Sequence, residues 1–120
     1  MPNQNSILTS IKKLLGLPEE YDVFDTDIII HINSVFSTLN QLGVGPPEGF
    51  FIEDATEQWG MFLGDDQQIN SVKTYMYLKV RLLFDPPTTS FAIDAMKKSA
   101  EEYEWRLNVQ TDKTGSISTT

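Results

Sequence analysis

At 120 residues, 40% hydrophobic and 11% aromatic, the chain is long enough for one core and too short for two comfortable domains. The absence of cysteine excludes disulfides, thiolate nucleophiles and cysteine-ligated zinc, and the single histidine, His31, excludes a two-histidine metal site within one chain. A net charge of −8 disfavours a direct grip on nucleic-acid phosphate.

The charge is more informative in its distribution. Between Lys13 and Lys73 there is no Lys or Arg, while Glu19, Glu20, Asp22, Asp25, Asp27, Glu48, Glu53, Asp54, Glu57, Asp65 and Asp66 fall there. That stretch carries −11 and the remainder +3, which together make the −8. A well-solvated surface accounts for such a run. Met1 to Ser6 holds no basic residue, and Lys12 and Lys13 interrupt the apolar stretch from Ile7 to Leu17, so a signal peptide is not expected. No run approaches the roughly eighteen apolar residues that a membrane span needs. The expectation is a soluble, cytoplasmic domain.

Helical periodicity dominates. Ser6 is placed to cap a short helix over Ile7–Leu15, with Ile7, Leu8, Ile11, Leu14 and Leu15 on one side and Gly16 as its stop. Leu17-Pro18 opens an acidic connector through Phe24. Asp25 or Thr26 is the expected cap of a second helix, and Asp27 in its first turn complements the dipole. Ile28, Ile29, Ile32, Val35, Phe36, Leu39 and Leu42 recur at spacings of three and four, and Gly43 closes the helix. Ile28-Ile29-Ile30 also fits a strand, but the longer pattern favours helix.

Val44 to Asp66 reads as irregular. Gly45-Pro46-Pro47 and Gly49 interrupt regular structure at its start, and Phe50-Phe51-Ile52 is strand-like. Asp54 with Glu57 forms a candidate capping box for a turn reaching Phe62, with a short hairpin as the alternative. A segment of about twenty residues inside a compact domain is either packed by its own aromatics or functional.

A third helix is expected from about Gln68 to Phe84. Ile69, Val72, Met76, Val80 and Leu83 line one face, and Tyr75, Tyr77, Leu78 and Leu82 widen it, which makes this helix central. Asp85-Pro86-Pro87 ends it. Thr89 or Ser90 caps a fourth helix to about Asn108, with Ala92, Met96, Ala100, Tyr103 and Leu107 inward and Lys97, Lys98, Glu101 and Glu102 outward. The expected fold is therefore all-α. It comprises a four-helix domain over residues 1–108, an irregular aromatic-rich loop between its second and third helices, and a disordered polar C-terminal tail over residues 109–120.

Catalytic motifs are missing from the pattern. His31 lies between isoleucines with no nucleophile signature nearby, which fits a partly buried or interfacial histidine. The run Asp22-Val23-Phe24-Asp25-Thr26-Asp27 lacks the glycine and the bidentate Glu of a calcium loop, and helix capping explains it better. Gly43-Val44-Gly45-Pro46-Pro47 is no phosphate cradle, because two prolines remove two N–H donors. Asp65-Asp66 and Glu101-Glu102 are adjacent rather than opposed across a cleft, so glycosidase chemistry is not indicated. No cofactor or metal is expected.

Phe50, Phe51, Trp59, Phe62, Tyr75, Tyr77, Phe84, Phe91, Tyr103 and Trp105 are many aromatics for one small helical core. Most fill the core; as a set they also imply surface buried against something else.

From Tyr75-Met76-Tyr77-Leu78-Lys79-Val80-Arg81-Leu82-Leu83-Phe84 to Asp85-Pro86-Pro87 the sequence resembles the head–tail connector (adaptor, head-completion) proteins of long-tailed bacteriophages. The likeness extends to Asp27–Gly45, where the long helix closes at Leu42-Gly43-Val44-Gly45, and to Glu104-Trp105-Arg106-Leu107. In order of elements it covers residues 7–108. The resemblance implies a structural virion protein, not an enzyme. It would form a homo-oligomeric ring of about twelve copies between the portal protein and the stopper or tail-completion protein. DNA would pass through the ring without specific binding, since an acidic wall does not trap phosphate. The implied location is the head–tail interface of the virion, and the host cytoplasm during assembly.

On this reading Tyr75, Tyr77, Lys79, Arg81 and Trp105 are subunit-interface candidates, with Lys79 and Arg81 paired to acids of the adjacent copy. Glu48, Glu53, Asp54, Glu57, Asp65 and Asp66 are candidates for the channel or acidic face. Arg106 and the tail residues Ser116, Ile117 and Ser118 are candidates for docking to the portal, the tail by joining an exposed strand edge. The alternative from another class is an acidic regulatory or DNA-mimic protein that inhibits a nucleic-acid enzyme.

Overall fold

The computed structural model describes residues 5–64 and 68–119, with side chains through Val109. Among these residues five helices follow in order: α1 (Ile7–Leu14), α2 (Asp25–Gln41), α3 (Trp59–Leu63), α4 (Ile69–Phe84) and α5 (Ser90–Thr119). Among the described residues there is no strand, and the fold is all-α. The fifth helix beyond the expected four is α3, one turn and a half inside the segment read as irregular.

The N-terminal caps differ in kind. Ser6 caps α1 as expected, its Oγ accepting the Thr9 N–H at 3.2 Å, and Thr89 Oγ1 accepts the Ala92 N–H at the start of α5. Neither Asp25 nor Thr26 caps α2. That helix starts at Asp25 itself, after Phe24, with no side-chain cap. Asp25 is drawn instead to Lys12, its Oδ1 2.8 Å from the ammonium nitrogen. At the other end of α2, Gly43 takes φ +83°, so that its N–H reaches Asn40 O at 3.0 Å and the Val44 N–H reaches Leu39 O at 2.9 Å. Such paired bonds satisfy the last carbonyls of the helix, and they fold Val44 back into the core.

The core sits where α2 and α4 meet. Ile28, Ile32, Val35, Phe36 and Leu39 of α2 and Val72, Tyr75, Met76 and Val80 of α4 are buried, with Ile7, Leu8 and Ile11 closing one side and Ala100 and Leu107 of α5 the other. Leu83, expected inward, is 52% exposed; Leu78 is buried instead, because α4 packs against both α2 and α5 and its buried arc turns between them.

The 44–64 segment is held by side chains rather than by a hairpin. Phe36 is its hub, with ring centroids 5.1 Å from Phe50 and 4.7 Å from Phe62, and Phe50 meets Phe62 at 5.4 Å. Extended Phe50-Phe51-Ile52 finds no partner strand among the described residues. Asn33 acts as one: its Oδ1 accepts the Ile52 N–H at 2.8 Å and its Nδ2 donates to Ile52 O at 3.0 Å. An antiparallel bridge, Ser6 with Gln58, ties the segment to the start of α1, and Trp59 Nε1 donates to Ser10 Oγ at 2.8 Å.

The backbone of α5 continues past Asn108, where the helix was expected to end, to Thr119. Extension of an existing helix needs no new nucleus, and nothing after Leu107 is proline, so polar residues prolong it at small cost. The side chains of Ser116, Ile117 and Ser118 lie outside the described residues.

Candidate functional site

Three of the six acidic candidates, Glu53, Asp54 and Glu57, gather at one turn. The Glu57 carboxylate accepts the Glu53 N–H at 3.0 Å and the Asp54 N–H at 3.3 Å, while Asp54 Oδ1 accepts the Thr56 N–H at 2.8 Å and the Thr56 hydroxyl. The Thr56 hydroxyl first, then its N–H, holds the Asp54 carboxyl below the usual carboxylate range. Its contribution to the turn is therefore present at neutral pH and is lost as pH falls below that range, through the lowered value. Asp54 and Glu57 thus cap a turn rather than α3, which begins at Trp59. Glu48, Glu53 and Asp54 are exposed and Glu57 is half-buried; Asp65 and Asp66 lie outside the described residues.

Most of the interface candidates are engaged within the subunit. Tyr75 is fully buried, and its hydroxyl donates to Glu104 Oε2 at 2.6 Å, so it does not reach the surface as expected. Burial and the Glu104 carboxylate push its phenol far above the usual range, so it stays a donor at any working pH. Lys79 stands 3.8 Å from the same carboxylate. Arg81 donates to Asp85 O at 2.7 Å and to Tyr77 Oη at 3.1 Å. These bonds join α4 to α5 and finish the C-terminus of α4. Trp105 alone of the five stays open, at 68% exposed, and Arg106 next to it is exposed with its guanidinium 5.5 Å from the Tyr103 ring. Replacing Tyr75 with Phe is expected to cost about 1.5 kcal/mol by chemical denaturation, the value of one hydrogen bond to a charged group, with no change in helical content.

Of the ten aromatics counted as an excess, Phe51, Phe91 and Trp105 are the exposed ones; Phe50, Trp59, Phe62 and Tyr75 build the core. Periodicity alone missed a second aromatic surface. Tyr21, Phe24, Phe84 and His31 form a chain of edge-to-face rings with centroids 5.9, 5.4 and 6.4 Å apart, running from the connector across the end of α4. It also missed Lys12, which is 2% exposed and donates to Glu19 O at 2.9 Å besides pairing with Asp25. The signal was present: Lys12 falls four residues after Leu8, on the apolar face of α1.

Among the described residues no group of three or more His, Asp or Glu stands close enough to hold a metal ion. What those residues assemble is a small all-helical domain whose distinctive surfaces are acidic turns and exposed aromatics, a class suited to contact with other proteins. The family model described as phage connector protein matches residues 7–114, and the chain belongs to that family. Comparison with curated proteins and with solved structures found no match. Membership makes this a structural bacteriophage protein of the head–tail connector type, in a family that is generally non-enzymatic and works with other head and tail proteins. No helix among the described residues is long and apolar enough to cross a membrane.

Proposed function

We propose that the chain forms a ring of about twelve copies on the portal protein of a DNA-filled capsid, extends the DNA channel, and presents the surface on which the stopper or tail-completion protein docks. The match to the connector family over residues 7–114 carries this reading and favours it over inhibition of a nucleic-acid enzyme. The base-free acidic stretch supports it as a channel wall: Glu48, Glu53 and Asp54 are exposed and have no cation beside them in sequence, so passing phosphate meets repulsion rather than a trap. The ring sits at the head–tail interface of the virion and is assembled in the host cytoplasm. The end of the chain docks the portal. Electron microscopy of the purified chain mixed with its portal tests the proposal; added ring density on the portal is expected, and portal particles unchanged by the chain overturn it.

Two further outcomes follow from this reading. The free chain should pass unretarded through a duplex-DNA column at low ionic strength, where phosphate contacts are strongest. Retention there counts against the acidic channel wall. A chain ending at Asn108 keeps Leu107, the last buried residue among those described, and should therefore melt as the full chain does while binding the portal more weakly. Undiminished portal binding by that truncation removes the tail from the docking surface.

A further inference from the structure

Two exposed apolar patches of unlike composition stand on this subunit. The first joins the connector to the start of α2: Tyr21, Val23, Phe24 and Ile30 are 42%, 67%, 38% and 59% exposed. Exposed Glu19, Glu20, Asp22 and Asp27 border it, and Lys12, which bonds Glu19 O in this region, is buried and already paired with Asp25. The second is on α5, where Trp105 edges a shallow depression of about 400 Å³ lined by Lys98, Glu101, Glu102 and Arg106. Among the described residues the ion pairs are Lys12–Asp25 and Lys79–Glu104, so Lys98 and Arg106 have none.

Placement keeps the two patches apart. Ile30 lies on the face of α2 opposite buried Ile28 and Ile32, and Trp105 on the face of α5 opposite buried Ala100 and Leu107. Because α4 packs against both helices, the patches look out from different sides of the subunit. Exposed apolar groups of this size mark protein contact, and Trp, Tyr and Arg are the side chains that most often anchor it.

Charge decides the pairing. A two-fold contact through the first patch would set Glu19, Glu20, Asp22 and Asp27 against their own copies, and like charges at an interface are costly. Contact between the two different patches instead brings Lys98 and Arg106, which stand among Glu101 and Glu102, to those acids and covers Trp105 with Tyr21, Phe24 and Ile30. We infer that Trp105 of one copy seats on the Tyr21–Phe24–Ile30 patch of the next, a head-to-tail joint that repeats around the assembly. This joint rests on the ring reading above and replaces the buried Tyr75 and the internally bonded Lys79 and Arg81 as its contact surface.

The absence of cysteine makes the test direct. Trp105→Cys and Ile30→Cys are prepared as separate full-length variants, with Val23→Cys as an independent second position on the first patch. All three sites are exposed, so the melting temperature should not move. Each variant alone, and the mixtures, are assembled on the portal and treated with a short bismaleimide. The joint predicts cross-linked dimer in the Trp105→Cys mixtures with Ile30→Cys or Val23→Cys, several-fold above any variant alone. A chain carrying both Trp105→Cys and Ile30→Cys should give a ladder of multimers. Rings visible by microscopy with neither mixture cross-linking overturn the joint and leave the ring reading standing. Efficient cross-linking of a single variant to itself overturns it in favour of a two-fold contact. Neither rings nor cross-links overturn both.

Discussion

Replacing Gly45 with alanine is expected to cost about 3 kcal/mol, seen as a fall of roughly 10 °C in Tm. Two terms add. Gly45 has φ +89°, a conformation in which a Cβ meets the following carbonyl, at a cost of about 1–2 kcal/mol. A Cβ there would also stand 2.6 Å from Phe62 Cζ and closer still to Cε1, well inside van der Waals contact. Phe62 cannot withdraw, because its ring is packed against both Phe36 and Phe50 and is only 5% exposed. Gly49→Ala supplies the control, since Gly49 has φ +93° with nothing within 4 Å of its Cβ position. It should lose only the backbone term. Equal losses at the two positions would show that the Phe62 contact contributes nothing.

The Lys12–Asp25 pair should show a strong asymmetry. The Lys12 side chain is 3% exposed and that of Asp25 28%, so the cation is the partner that cannot be hydrated if left alone. Asp25→Ala is expected to destabilise by about 3–5 kcal/mol, the cost of stranding a buried charge, with only Glu19 O remaining as a partner. Lys12→Met keeps the length of the side chain, removes the charge, and leaves Asp25 to water; it should cost about 1 kcal/mol or less. The double variant Lys12→Met with Asp25→Ala should recover most of the loss of Asp25→Ala. Denaturant unfolding of the three variants measures this. If Asp25→Ala and Lys12→Met cost the same, the ion pair is not what holds the connector between α1 and α2.

The position of this pair explains what it does for the fold. Residues 15–24 join two helices and contribute none of the fully buried side chains. Lys12 fixes the middle of that stretch through Glu19 O and its far end through Asp25, the first residue of α2. The same anchoring holds Tyr21 against Phe24 and Phe24 against Phe84, and so shapes the patch assigned to the neighbouring copy.

Local rules were enough for much of this. Ser6 and Thr89 as caps, Gly43 as the end of α2, the Asp85-Pro86-Pro87 stop, and the inward set of α2 depend on a residue and its near neighbours, and they can be read without knowing the rest of the fold. The family resemblance was legible in the same elements, and residues 7–114 belong to the connector family. What the chain alone could not decide is which apolar or charged groups are consumed internally. Tyr75, Lys79 and Arg81 looked available because their helix was too apolar for one face, yet α5 packs along it and takes Tyr75 and Lys79 through Glu104, while Tyr77 and Asp85 take Arg81. Asp25 looked like a cap until Lys12, thirteen residues earlier, claimed it. Phe50 and Phe62 read as surplus until Phe36 gathered them, and Asn33 replaced the strand that Ile52 lacks. Each of these outcomes depends on a partner distant in sequence. Periodicity and capping describe a residue against its own helix, so only the packed tertiary structure separates the side chains that close the core from those, such as Trp105, left facing outward.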